Sequence, residues 1–159
     1  MKQRISAHIL AVFCVLLLPG CARLSDAGTL LFSSNLQAAA IVNGQLLQGM
    51  VQLSPDRTGS VTLQAEPGAD QAPISSCMGR LRFGATTSGT MDLRCNEGTA
   101  TELVFSLIGD ARGYAYGQTV AGPVSLAFGL SPGEAIAYLT VPANKKLTER
   151  AGTPYLDLR

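Results

Sequence analysis

The 159-residue sequence contains a single histidine, His8, in its N-terminal stretch. There Lys2 and Arg4 precede an apolar run from Ile9 to Leu18. A run of that length suits the core of a secretory signal and falls well short of the roughly 20 residues a spanning helix needs. Removal of residues 1–20 takes the histidine with it. What remains cannot build a Ser-His-Asp or Cys-His centre and lacks the commonest zinc ligand, so neither a metal nor another cofactor is expected.

Charge is sparse as well. The 12 basic and 11 acidic residues form no long run of either sign, and loss of Lys2 and Arg4 turns a slight basic excess into a slight acidic one. No field large enough for nucleic acid is left. Carboxylates such as Asp92, Glu97 and Asp110 are the raw material of a hydrolase, but no spacing in the sequence brings two of them together. A non-enzymatic role is therefore expected. No internal repeat is convincing.

What is present starts with "LLLPGC". Leu18, Gly20 and Cys21 resemble the lipobox of bacterial lipoproteins, with leucine at −3, a small residue at −1 and then cysteine. The resemblance implies a signal peptide over 1–20 and a lipidated Cys21 carrying a diacylglyceryl thioether and an N-acyl chain such as palmitate. One acyl chain binds a membrane marginally, at roughly 0.8 kcal/mol per buried methylene, whereas two or three make a lasting anchor. Ala22 after the cysteine, in place of Asp, implies the outer rather than the inner membrane, with the domain in the periplasm or at the surface. The alternatives are an uncleaved signal anchor or ordinary secretory cleavage after Ala27. Residues 21–40 then read as lipidated cysteine and tether, and 41–159 as one β-domain.

With Cys14 removed and Cys21 acylated, Cys77 and Cys95 remain as an even pair in an oxidising compartment, which favours a disulfide. A redox pair is the alternative, but their wide spacing does not resemble Cys-x-x-Cys. "CMGRLRFGATTSGTMDLRC" alternates on both flanks of a Gly-rich turn and reads as a hairpin. With Cys77 opposite Cys95, Gly79 meets Leu93, Leu81 meets Met91 and Phe83 meets Gly89, giving an apolar face. On the other face Arg80 meets Asp92, Met78 meets Arg94 and Arg82 meets Thr90. A slip of one residue would put charges among the apolar side chains.

Upstream, strands near 45–53 and 60–66 flank "SPDRTG", with Leu53 expected opposite Val61 and Val51 opposite Leu63. Downstream, "CNEGT" turns into a strand whose Leu103, Phe105 and Leu107 share a face. In "GDARGYAYGQT", Ala111, Gly113, Ala115 and Gly117 point one way and Arg112, Tyr114 and Tyr116 the other. The small-residue face suits close approach of another backbone or helix. The Arg-Tyr-Tyr face is either packed over a sheet edge or a contact surface for glycan or peptide. "SPGEAIAYL" offers Ser131 as N-cap, Pro132 at N1 and Glu134 at N3, hence a short helix to about Leu139, with Ala135, Ile136 and Leu139 docked on the sheet. A strand is the alternative for "AIAYLTV". "YLDL" suits an edge strand, and "NLQAAAIV" is ambiguous. The expected fold is mainly β, a small antiparallel barrel or sandwich built from hairpins with one short C-terminal helix.

Cys77, Gly79, Cys95, Asn96 and Gly98, followed by Gly113, Gly117, Phe128 and Gly129, form a pattern similar to small envelope proteins of bacteria, especially alphaproteobacteria. That resemblance implies a fold and no catalytic residue. The functional expectation is a lipid-anchored, non-enzymatic envelope protein with a structural, adaptor or binding role. Its partners would be the membrane, through the N-terminal lipid, and an envelope protein or peptidoglycan. The alternative is an inhibitor or glycan binder working through Arg112, Tyr114 and Tyr116.

Overall fold

The computed structural model describes residues 33–65, 73–150 and 152–158, so the signal segment and Cys21 lie outside the described residues. Eight antiparallel strands follow one another as β1 (Ser34–Val42), β2 (Gln45–Leu53), β3 (Thr58–Ala65), β4 (Ser76–Phe83), β5 (Ser88–Cys95), β6 (Ala100–Gly109), β7 (Arg112–Thr119) and β8 (Gly122–Phe128). Each pairs with the next, and β1 pairs with β8, closing an up-and-down barrel rather than a sandwich. Among the described residues one helix follows, α1 (Pro132–Ile136), and then a separate hairpin of β9 (Lys145–Arg150) and β10 (Thr153–Leu158). β1 begins at Ser34, inside the stretch that the sequence assigned to a tether.

Alternation along the strands decides which side chains fill the barrel. The interior holds Leu47, Val51, Leu63, Met91, Leu103, Phe105, Leu126 and Phe128, all essentially inaccessible to water. An eight-stranded barrel has an interior just wide enough for side chains to fill it. Each of the two phenylalanines contributes about 1.5–3 kcal/mol by burial. Phe83 meets Phe105 edge-on, with centroids 4.9 Å apart. Ile74, on the connection between β3 and β4, is buried against one end of this core. The Gln45 amide holds it on both sides, donating to the Ile74 carbonyl at 2.6 Å and accepting its N–H at 3.2 Å. At the same end Asn43 donates to Thr99 Oγ1 (3.1 Å) and accepts from Thr119 Oγ1 (2.7 Å), joining three turns.

The hairpin of β4 and β5 has the expected register at every position, from Cys77 opposite Cys95 to Phe83 opposite Gly89. Cys77 and Cys95 form a disulfide, Cys77 buried in the apolar core and Cys95 partly buried against it. The β2–β3 register differs from expectation by two residues: Val51 faces Val61, and Leu53 faces Gly59. The turn is tighter than "SPDRTG" suggested. Ser54 N–H donates to the Thr58 carbonyl, Arg57 takes a positive φ of 65°, and Asp56 Oδ1 accepts from both the N–H and the hydroxyl of Thr58. The strands therefore run on into the turn. Because the shift is even, every side chain keeps its face.

The small-residue face of β7 has a broader purpose than the one expected. Gly113, Ala115 and Gly117 point into the barrel; the two glycines admit both the neighbouring β6 backbone, as expected, and large side chains, Phe128 beside Gly113 and Leu103 beside Gly117, but no helix. A Cβ on Gly113 would lie 2.7 Å from Phe128 Cζ.

β1 and β8 are buried on both faces, from Ala38 to Val42 and from Val124 to Phe128. This explains the unbroken "AAAIV", which carries no strand alternation. The outer side is covered by a second cluster in which Ala39, Ile41 and Ala127 pack against Leu130, Ala135, Leu139 and Leu147. α1 has both halves of the expected capping box at Ser131 and Glu134, and it stops at Ile136, short of Leu139. Ala135, Ile136 and Leu139 dock as expected, on the barrel's outside. Thr140 N–H then donates to the buried Ser125 Oγ at 2.8 Å, tying the segment after the helix to β8. "YLDL" joins β10, which pairs with β9 and not with an edge of the main sheet.

Candidate functional site

The interior is lined by buried apolar side chains, and the polar and charged side chains lie on the outer surface. That surface is polar over most of β3–β6, where Thr62, Arg80, Asp92, Arg94 and Glu102 are exposed. The arrangement is the reverse of a membrane-spanning barrel, whose outward face is an apolar band.

The three residues singled out on β7 do share the outer face. Arg112 Nη2 contacts Glu134 Oε1 at 2.6 Å, with both side chains about half exposed. The other carboxylate oxygen of Glu134 accepts from the N–H and the hydroxyl of Ser131, at 3.1 and 2.8 Å. The Ser131 hydroxyl and N–H, followed by the Arg112 guanidinium, hold the Glu134 carboxyl below the usual carboxylate range. Tyr114 stacks on Tyr138 with centroids 5.0 Å apart and planes at 15°, and it is tilted against Tyr116 at 5.3 Å. Partial burial, followed by the neighbouring Tyr114 and Tyr138, raises the Tyr116 phenol. Arg112 and Tyr114 therefore fasten the helical segment to the barrel. Tyr116, 43% exposed, is the open end of the ring row.

Tyr138 and Glu134 were not foreseen as partners of β7. The capping box located Glu134 on a helix, but nothing local told which strand that helix would cover. The carboxylates stay apart: Asp92 is on the outer face of β5, Glu97 in the β5–β6 turn, and Asp110 in the β6–β7 turn at the other end of the barrel. Among the described residues no group of three His, Cys, Asp or Glu side chains could hold a metal ion.

A second surface was read from sequence only as a set of cross-strand pairs. Across β3, β4 and β5 the outward rows are Thr62–Met78–Arg94, Ser60–Arg80–Asp92 and Thr58–Arg82–Thr90. They frame an open groove of about 800 Å³ that reaches Ser76 and Asn96. An adjoining hollow of about 450 Å³ continues past Arg80 and Arg82 to Ser54. Arg80 lies opposite Asp92 but forms no ion pair with it; among the described residues the ion pair is Arg112–Glu134. Arg80, Arg82 and Arg94 are all exposed. Met78 between them is 65% exposed.

No family model, no curated protein and no solved structure matches this chain.

Proposed function

We propose that the protein is a lipid-anchored, non-enzymatic component of the bacterial envelope whose barrel serves as a binding or adaptor module. The observation that carries this reading is the Cys77–Cys95 disulfide, with Cys77 buried in the barrel core and Cys95 packed against it. Such bonds persist in oxidising compartments and are rare in the cytosol. The lipobox-like residues ending at Cys21 supply the route and the anchor. An interior lined by buried apolar side chains, under an exposed polar outer face on β3–β6, supports recognition by the outer surface.

Mass spectrometry of the N-terminal peptide of the native protein tests the reading. The expected result is a chain starting at Cys21 with a diacylglyceryl group on sulfur and an acyl group on the amine. A chain that retains residues 1–20, or one starting after Ala27 without lipid, refutes the anchor.

A second reading is an inhibitor or glycan binder using Arg112, Tyr114 and Tyr116. The ring row on the outer face of β7 favours it, but Arg112 is held by Glu134 and Tyr114 is covered by Tyr138. Tyr116 is the member left open to a ligand.

A further inference from the structure

We infer that the groove on the outer face of β3–β5 binds an acidic oligosaccharide, with Arg80, Arg82 and Arg94 as its anion-binding residues. This deepens the binding-module reading by naming a ligand class.

Arg80 and Arg82 stand two residues apart on β4, so their side chains leave the same face about 7 Å apart. Arg94, opposite Met78, is the diagonal neighbour of Arg80, at a similar spacing of roughly 7–8 Å. The three cations thus run along β4 from Arg82 to Arg80 and step across to Arg94 on β5. None has an ion-pair partner among the described residues. Exposed guanidiniums carry planar forks of donors suited to two-point contact with carboxylate or phosphate. Asp92 and Glu102 stand beside them, so the patch is of mixed sign and favours a short chain with one singly charged carboxylate per unit over a long, densely charged polyanion.

The rest of the lining suits a polyhydroxylated chain. Ser60 and Thr62 offer hydroxyls, and Met78 offers an apolar contact for the C–H face of a sugar ring. Asn96 uses its Oδ1 on the N–H groups of Ser75 and Ser76, which turns its amide NH₂ to donation. Competing occupants fit less well. A peptide cannot add as a strand, because the closed barrel leaves β3–β5 no free edge. A flat bilayer reaches the arginine tips but not the hydroxyls beneath them. Single-stranded nucleic acid wants stacking rings, and no aromatic residue lines the groove.

Titration of the native full-length protein in detergent with tetragalacturonate, followed by calorimetry, tests the inference. Expected are measurable binding that weakens with added salt, and no binding of a neutral cello-oligosaccharide of equal length. Arg80→Gln, Arg82→Gln and Arg94→Gln combined should weaken binding at least tenfold. Asp92→Asn should strengthen it several-fold, a gain that a misfolded variant would not show. Equal binding of the neutral sugar, an unaffected triple variant, or binding to phosphatidylglycerol vesicles without binding of tetragalacturonate would each overturn it. The acylation state of Cys21 has no bearing on these titrations, so the anchor and the groove fail or stand separately.

Discussion

Barrel closure can be tested with one methyl group. Gly113 faces the interior from β7, opposite Phe128 of β8. A Cβ there would lie 2.5 Å from the Ser106 carbonyl oxygen, 2.7 Å from Phe128 Cζ and 3.2 Å from Leu107 Cδ2. The phenyl ring can tilt, but the carbonyl belongs to the β6 ladder and cannot retreat without breaking strand pairing. Gly113→Ala should therefore destabilise the protein by about 1–3 kcal/mol, the usual range for overpacking. Gly84→Ala is the control. It lies in the β4–β5 turn with nothing within 4 Å of an added Cβ, so it should be neutral or stabilising by about 0.4–1 kcal/mol. Equilibrium urea unfolding of the oxidised protein reads both, followed by tyrosine fluorescence because the sequence has no tryptophan. The midpoint should fall for Gly113→Ala with unchanged slope, and should not fall for Gly84→Ala. Adding Phe128→Leu should restore only part of the loss, since the carbonyl contact remains. A Gly113→Ala protein as stable as the native one would refute the closure of β7 and β8 around Phe128.

Two further outcomes follow from the disulfide and the helix cap. The Cys77–Cys95 bridge joins residues 18 apart; losing it should cost roughly 3 kcal/mol by loop-closure entropy. Cys77→Ala with Cys95→Ala, or reduction of the native protein, should lower the urea midpoint accordingly, and an unchanged midpoint would contradict that account. The lowered pKa of Glu134 means that folding favours its ionised form. Its contribution is complete above the ordinary glutamate value of about 4.3 and is lost as pH falls through the folded-state value. The stability difference between native and Glu134→Gln proteins should be present at neutral pH and shrink as pH falls below the ordinary glutamate value of about 4.3. A difference independent of pH would show that the Arg112 and Ser131 contacts do not act through the carboxylate charge.

The β4–β5 hairpin shows what local pattern can specify. Its two alternating flanks, its opposed charges and its cysteines agree on one register, and a slip of a single residue would turn charges inward. The β2–β3 pair shows the limit of that argument. A shift of two preserves both faces, so the hydrophobic pattern cannot detect it; the Asp56 contacts and the positive φ of Arg57 decide it. Position on a face was also legible for Arg112, Tyr114 and Tyr116. Their partners were not, because Tyr138 and Glu134 come from a segment whose docking strand no nearby residue specifies. The arginine groove was overlooked for a related reason. Opposite charges in register suggest pairing, yet Arg80 and Asp92 stand across from each other without an ion pair.

By itself, then, the order of residues determined the strand faces, the hairpin order, the capping box and the cysteine pair, all of which depend on neighbours close along the chain. Tertiary structure decided the meeting of β1 with β8, the burial of "AAAIV" on both sides and the covering of the barrel by α1. It also decided which outer face was left open. The physical reason is range. Alternation and capping are energies between near neighbours, whereas closure and covering depend on volumes that fit only once distant segments share one interior.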